Sequence, residues 1–224
     1  MIMITLIKLD EPKILSDNYQ IWTDELKLHQ LKEKAKGKKI RSYIKSKYSH
    51  KDIKDQLKKE TFKKCAYCES KFLATGFGDI EHVIPKTHDS DMWFKWENLT
   101  IGCQVCNNNK GSYYDVNLPI LDPYVDDIDK HIFFAGSFLV GRTQKGSHTI
   151  RLLQLNRIEL LEARERYLSK TIQPFIELIV SHSNQALKQI VLTDLIELTR
   201  EFNEFSKMAS TVVSQFNDPT KSAS

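Results

Sequence analysis

Apolar and polar positions predict a strand and helices in the first quarter of the chain. Residues 1–10 are mostly apolar, and this short run is typical of a β-strand. Residues 18–35 and 50–64 are predicted to be helical, with a lysine-rich link through Gly37. Residues 65–115 are too short and too irregular for a hydrophobic core of their own, so we expect a bound metal to stabilise them.

The second half of the chain has different patterns. Residues 116–130 contain two prolines and several aspartates, which predict an extended connection. Residues 131–143 carry two apolar runs around Gly136, which predict a β-hairpin. Asn156, with Glu159 three residues later, is predicted to cap the first helix of the last third. Pro174 should kink or break that helix.

A second C-terminal helix is predicted from apolar residues at steps of three and four, which form one stripe. The stripe residues are Leu187, Ile190, Val191, Leu195, Leu198, Phe202 and Phe205. The stripe either packs against the protein's own helices or docks a partner, and the pattern leaves both interpretations open. The tail from Asp218 is small and polar and is expected to fray.

These elements predict an α+β protein that is mainly helical. Residues 1–64 form an N-terminal strand and basic helices, and residues 65–115 form a metal-bound core. Residues 116–150 form the connection and hairpin, and residues 151–224 form a helical extension.

Charge is distributed unevenly along the chain. Residues 25–64 hold 15 Lys or Arg against 5 Asp or Glu, although the whole chain has a net charge of only +4. Concentrated positive charge is typical of proteins that bind nucleic acid. A solvated face of lysine-rich helices explains the same charge, so composition alone does not decide between them.

The four cysteines form two C-x-x-C pairs, Cys65 with Cys68 and Cys103 with Cys106. Two such pairs have the ligand number and spacing of a closed, structural Zn²⁺ site. No basic leader with a cleavage site and no run of about 18 apolar residues is present, so we expect a cytoplasmic protein without a membrane span. Disulfides are then disfavoured, and zinc binding disfavours a thiol redox protein.

Between the cysteine pairs, a carboxylate directly precedes a histidine at Glu81 and His82, and Pro85 ends the predicted strand. Asn98 precedes the second pair, and Asn107 follows it directly. Phosphodiester hydrolysis needs a base for water and a hard cation at the phosphate. Neutral imidazole suits the first task, and carboxylate and amide oxygens suit a cation such as Mg²⁺ or Mn²⁺.

In this order and spacing, the elements resemble the motif of the HNH endonucleases, which have the ββα-metal fold. The resemblance implies that His82 is the general base and that Glu81 and Asn107 bind the catalytic metal. It implies that Asn98 holds the loop around the base and that Lys110 faces phosphate.

Several assignments within the motif stay open. In an extended strand Asp79 would share a face with Glu81, so Asp79 could assist or replace it as a metal ligand. Asn107, Asn108 and Asn109 are consecutive, and we favour Asn107 because it directly follows a cysteine. His88 lies near the motif, which assigns it no role, and we expect a surface histidine.

Lysines near the motif are the candidates for nucleic-acid contacts, namely Lys63, Lys64, Lys86 and Lys110. DNA is the favoured substrate, and RNA, including tRNA, is the alternative. A zinc ribbon that binds nucleic acid without cutting it is the competing function. Such a module has no need of a carboxylate–histidine pair facing an asparagine, which favours the enzyme.

Further landmarks over roughly residues 5–165 resemble the HNH subunit of Septu-type anti-phage systems (PtuB-like proteins), some of which accompany retrons. They include residues 7–10, 64–69, 119–127 and 153–156. This resemblance implies an ABC-type (PtuA-like) ATPase partner, a role in phage defence and, in retron-associated systems, a reverse transcriptase with its msDNA. The apolar stripe is the candidate surface for the ATPase.

Overall fold

A computed structural model of the chain describes residues 5–35, 42–72, 76 and 78–216. The described part is mainly helical and has two small antiparallel sheets, so the predicted α+β class is confirmed. None of its helices is both long enough and apolar enough to cross a membrane.

The N-terminal region is helical, as predicted. Its helices are α1 (Lys13–Ser16), α2 (Tyr19–Ala35), α3 (Ser42–Lys45) and α4 (Lys51–Glu60). Helix α4 was predicted to continue to residue 64, but it ends at Glu60. The reason is that Phe62 and Lys63 adopt left-handed φ values of 54° and 59°, which a helix cannot contain.

The predicted N-terminal strand is wrong for residues 5–10, and residues 1–4 lie outside the described residues. Residues 5–10 form no sheet. Instead, the backbone N–H of Leu6 donates to the Pro123 carbonyl at 2.8 Å, and the N–H of Leu9 donates to the Glu60 carboxylate at 2.9 Å. The segment is therefore held by a loop and a side chain, which satisfy its backbone without a neighbouring strand.

The central segment is a two-stranded sheet followed by a helix. Strand β1 (Asp79–His82) pairs antiparallel with β2 (Leu99–Gly102), in a register that places Glu81 opposite Thr100 and His82 opposite Leu99. Helix α5 (Gln104–Lys110) follows β2 and packs on β1. A single-turn 3₁₀ helix, Trp96–Asn98, leads into β2.

The predicted hairpin is present, formed by β3 (Ile132–Ala135) and β4 (Phe138–Gly141). Gly136 occupies the turn with a φ of 63°, a conformation that glycine adopts without strain. The flanking region is more helical than the extended connection that was predicted, since α6 (Ile128–His131) precedes the hairpin and α7 (Gln144–Leu152) follows it.

The C-terminal region is helical, as predicted. Its helices are α8 (Ile158–Tyr167), α9 (Gln173–Ser181), α10 (Gln185–Glu197) and α11 (Ser206–Phe216). A π-helical turn, Leu168–Ile172, joins α8 to α9, and Pro174 lies in the first turn of α9, where its missing N–H costs little. The tail from Asp218 lies outside the described residues.

The predicted cap at Asn156 is wrong. Arg157 occupies the N-cap position of α8 and makes no side-chain capping bond. The Asn156 amide instead accepts from the N–H of Leu139 and donates to its carbonyl, at 2.9 and 2.8 Å. The Asn156 side chain therefore satisfies the backbone groups of Leu139 in β4, as a neighbouring strand would. The local sequence does not indicate this contact.

The apolar stripe is divided between two environments. The helix predicted to carry it ends at Glu197. Val191 and Leu195 are buried, and Leu195 packs with Ile172, Leu198 and other apolar residues of the C-terminal region. Ile190 is 60% exposed and Phe202 is 55% exposed. Packing within the protein thus explains part of the stripe and leaves Ile190 uncovered.

Buried clusters join the predicted segments to one another. One cluster connects Leu15, Ile53 and Leu57 of the N-terminal helices with Leu99 and Ile101 of β2. A second cluster surrounds the cysteines and Tyr67. Its other members include Leu121, the hairpin residues Ile132, Phe134 and Leu139, Leu153 before α8, and Met208 of α11. The sheet that carries Glu81 and His82 therefore packs on the N-terminal helices, through the first of these clusters.

Candidate active site and metal centre

The four cysteines form one cluster. Their Sγ atoms all lie within 4.8 Å of one another, and Cys68 and Cys103 are 3.9 Å apart at sulfur. Tetrahedral Zn²⁺ with Zn–S bonds of about 2.3 Å requires sulfur–sulfur separations of roughly 3.8 Å. The residues therefore fit a closed, four-thiolate metal site that could hold zinc.

Local backbone geometry orients both cysteine pairs toward one another. In the first pair, the N–H of Glu69 donates to the Cys65 carbonyl, and the N–H of Cys65 donates to the Ser70 carbonyl. Glu69 makes this tight turn with a φ of 60°. In the second pair, Cys103 caps α5, and its sulfur accepts from the N–H of Cys106 at 3.5 Å.

Two arginines lie beside the cysteine cluster. Arg157 Nη1 donates to Cys106 Sγ at 3.8 Å. Arg164 is fully buried and donates to the Leu155 carbonyl at 2.7 Å. Burial lowers the pKa of Arg164 to about 10, and the charge of Cys68 opposes that shift. Four thiolates around a Zn²⁺ ion would carry a net charge of −2, which the Arg157 guanidinium at Cys106 would partly offset.

His82 is buried with its ring fixed at one end. Its Nε2 lies 2.8 Å from the Trp93 carbonyl oxygen, and Tyr48 packs against the ring edge-on with centroids 4.7 Å apart. A carbonyl can only accept, so Nε2 carries the proton and Nδ1 keeps its lone pair. Burial is the main reason that the pKa of His82 falls to about 3, which keeps the ring neutral.

Glu81 is buried beside Lys110. Lys110 Nζ lies 2.6 Å from Glu81 Oε1 in an ion pair, and it donates to the His82 carbonyl at 2.7 Å. Burial raises the pKa of Glu81, and Lys110 opposes that rise. Lys110 thus favours the ionised carboxylate within the protein.

Asn98 holds the loop around the histidine. Its Oδ1 accepts from the N–H of Ile84 at 2.7 Å, and its Nδ2 donates to the carbonyls of Ile84 and Met92 at 3.0 and 2.8 Å. This loop also contains Trp93, which binds His82. The buried amide therefore fixes the loop around His82 and does not face the cavity.

A cavity of about 680 Å³ brings the motif residues together. Asp79, Glu81, His82 and Asn107 all line it, as do Asn108 and Lys86. Asn109 does not, because its Nδ2 donates to the Leu153 carbonyl at 3.1 Å. Asn107 makes no side-chain hydrogen bond to the described part of the chain, so its amide is available to a ligand.

Two predicted nucleic-acid contacts are wrong. Lys110 is 2% exposed and holds Glu81, as described above. Lys64 is 1% exposed, donates to the Asn203 carbonyl and lies 3.7 Å from Glu69. Both lysines are bound to protein oxygens and cannot reach phosphate. Lys63 is exposed, and Lys86 lines the cavity while donating to the Tyr48 hydroxyl at 2.7 Å.

Sequence reasoning missed Tyr48, Lys54 and Trp93. Tyr48 and Lys54 line the cavity although they precede the motif by about thirty residues. Trp93 acts through its backbone carbonyl, which has no sequence signature. His88 is exposed and packs on Tyr114.

The fold and the site define a class of protein. Residues 65–113 match the family model described as HNH endonuclease. That range contains the cysteine cluster, the sheet with Glu81 and His82, and the helix with Asn107. Residues 65–113 therefore carry an HNH endonuclease domain, and the predicted resemblance is confirmed over this range.

Two relatives extend the similarity beyond this domain. The Septu protein PtuB of Bacillus thuringiensis is 29% identical over 161 residues, which are 67% of this chain and 63% of the relative. The Septu protein PtuB of Bacillus mycoides (strain KBAB4) is 29% identical over 152 residues, covering 53% of this chain and 52% of the relative. The chain is thus similar to both PtuB proteins, and it spans between half and two thirds of their length.

We predict that loss of the Arg157 charge weakens metal retention. Arg157→Gln should release zinc to a chromogenic chelator about tenfold faster than the unchanged protein, because partners of metal ligands contribute about 10–100-fold to affinity. Arg157→Lys, which keeps the charge, should restore part of the effect.

The control is Arg166→Gln, at an exposed position on α8, which should release zinc at the unchanged rate. Equal release rates for Arg157→Gln and the unchanged protein would show that Arg157 does not support the metal site. Zinc content of about one ion per chain must be established first.

Proposed function

We propose that this protein hydrolyses phosphodiester bonds of nucleic acid in a metal-dependent reaction. DNA is the favoured substrate, and the protein acts in the cytoplasm. One observation carries the proposal. A neutral histidine, with Nε2 bound to a backbone carbonyl, lines the same cavity as a buried carboxylate and a free asparagine amide.

His82 has the geometry of a general base. Its Nδ1 takes a proton from the attacking water, and the imidazolium that forms is stabilised because Nε2–H already donates to the Trp93 carbonyl. The water oxygen then bonds to phosphorus, and the bond to the 3′ oxygen breaks. The product carries a 5′-phosphate, and the 3′ oxygen takes a proton from solvent.

Glu81 and Asn107 are proposed to hold the catalytic cation, with Asp79 as a further ligand at the mouth of the cavity. A carboxylate and an amide oxygen suit a hard cation such as Mg²⁺ or Mn²⁺. When bound, such a cation stabilises charge on the phosphate and the leaving oxygen. Lys110 keeps Glu81 ionised for this task, and Lys86 is the remaining candidate for a phosphate contact.

The four cysteines are proposed to hold a structural Zn²⁺. Four thiolates leave no open position for water, so this ion does not take part in the reaction. Its role is to keep the first cysteine pair and α5 together, so that Asn107 and Glu81 line the same cavity.

We further propose that the protein is the nuclease of an anti-phage complex with an ABC-type (PtuA-like) ATPase. The similarity to two proteins named Septu protein PtuB supports this role. A cytoplasmic nuclease needs restraint, which a partner could supply. Cleavage of RNA by the same complex is the alternative, and a retron-associated reverse transcriptase stays a sequence-based prediction.

We predict that His82→Ala reduces cleavage by about 100-fold or more, because loss of a general base costs about 10²–10⁴ in rate. The purified chain, alone and with the ATPase, is incubated with plasmid DNA and with total RNA in Mg²⁺. Zinc content should not change, since His82 is not a ligand of the cysteine cluster.

His88→Ala is the matched control, because this histidine is exposed. It should cleave like the unchanged protein. Cleavage that survives His82→Ala at full rate would contradict the assignment of the base. Nucleic-acid binding with no cleavage by the unchanged protein would favour the zinc-ribbon binding module.

We also predict that Ile190→Glu abolishes co-purification with the ATPase while the chain remains folded. Ile190 is the stripe residue on α10 that is 60% exposed, and a charge buried in an interface is strongly unfavourable. Leu198, which packs in the C-terminal cluster, is unsuitable because its change would disturb folding.

Ile158→Glu is the control, because Ile158 is 63% exposed on α8 and outside the stripe. Retained co-purification of Ile190→Glu would remove this part of the stripe as the docking surface.

A further inference from the structure

A second hollow of about 530 Å³ lies beside α4, outside the active-site cavity. Three phenylalanine rings line it, those of Phe62, Phe72 and Phe202, together with four lysine side chains. Two of the lysines belong to the end of α4, and the other two flank the first cysteine pair. We refer to this hollow as the phenylalanine cleft.

The rings of Phe62 and Phe202 are more exposed to solvent than rings that pack in a hydrophobic core. Phe202 is 55% exposed and Phe62 is 36% exposed. Phe62 is also held at a left-handed φ of 54°, which is strained for a residue other than glycine. An exposed aromatic ring in a strained turn adds little to the stability of the fold.

The composition of the cleft points to one chemical class of ligand. No carboxylate is among the described residues that line it. Aromatic faces combined with lysines are the elements that bind single-stranded nucleic acid, because bases stack on rings and phosphates attract ammonium groups. An uncharged apolar partner would not need four lysines around three rings.

Helix α4 connects the cleft to the active site. Lys54 lines the active-site cavity, and Lys58, one helical turn further on, lines the cleft. Residues four apart lie on the same face of a helix, about 6 Å apart along its axis. A strand whose phosphate lies at His82 can therefore continue along α4 into the cleft.

We propose that the phenylalanine cleft binds unpaired nucleotides that flank the phosphate to be cut, with a base stacked on Phe202 and the backbone held by the lysines. The inference rests on the proposed nuclease function and adds the requirement for a locally single-stranded substrate. DNA and RNA share this chemistry.

The test measures binding by the full chain carrying His82→Ala, which prevents cleavage during the experiment. Fluorescence anisotropy compares a labelled oligothymidylate with an abasic strand of the same length, which has phosphates but no bases. Adding Phe202→Ala should weaken binding of the oligothymidylate about fivefold or more, and binding of the abasic strand less than twofold. Adding Lys63→Gln should weaken both and reduce the salt slope by about 0.7.

The matched controls are Phe138→Ala, at a hairpin position that is 48% exposed, and Lys130→Gln on α6. Neither should change binding. If Phe202→Ala binds the oligothymidylate like its parent, or weakens both probes equally, the stacking site is refuted.

Cleavage by the chain with His82 intact is measured in parallel and separates the two claims. If the chain cleaves but Phe202→Ala does not weaken binding of the oligothymidylate, the proposal for the cleft is refuted and the nuclease function is not. Loss of stacking in Phe202→Ala without any cleavage by the unchanged protein supports the cleft and contradicts the nuclease function.

Discussion

Four thiolates within 4.8 Å of one another repel strongly unless a cation lies among them. This constraint connects parts of the chain that are far apart in sequence, because one cysteine pair precedes β1 and the other begins α5. With a metal bound, the sheet and the helix have fixed relative positions. Such a metal would thereby also fix Glu81 on β1 relative to Asn107 on α5. The positive charge of Arg157 at Cys106 also reduces the repulsion among the thiolates.

In the candidate site, burial favours the neutral form of both His82 and Glu81, but the neighbours of the two side chains differ. For His82, burial removes the charged form and leaves a lone pair at Nδ1, while the Trp93 carbonyl fixes the ring. For Glu81, burial also favours the neutral form, but Lys110 opposes it. A neutral imidazole and a carboxylate whose ionised form Lys110 favours therefore occupy neighbouring positions on one strand. Asn98 maintains this arrangement through three hydrogen bonds to the loop.

Sequence alone predicted the features that local spacing encodes. The cysteine pairs, the Glu81–His82 pair and the hairpin around Gly136 all depend on residues within a few positions of one another. Tyr48 and Lys54 could not be found this way, since only the packing of the N-terminal helices against β2 brings them to the cavity.

Errors arose where tertiary packing overrides a local pattern. Asn156 has the pattern of a helix cap, yet its amide is used by β4. Lys64 lies in the basic segment and Lys110 lies in the nuclease motif. Both are nevertheless buried, and they pair with the protein's own oxygens. A lysine in a sequence is expected to be solvated, and nothing in its neighbours shows that a carboxylate will be buried beside it.

The central claim is that the domain contains two separate metal sites with different tasks. Anomalous scattering from crystals grown with Mn²⁺ and recorded at the zinc and manganese edges tests it most directly. We expect zinc among the four cysteines and manganese between Glu81 and Asn107, in the cavity that His82 also lines. Manganese absent from that cavity at saturating concentration, or zinc bound by Glu81 and His82 with the cysteines empty, would contradict it.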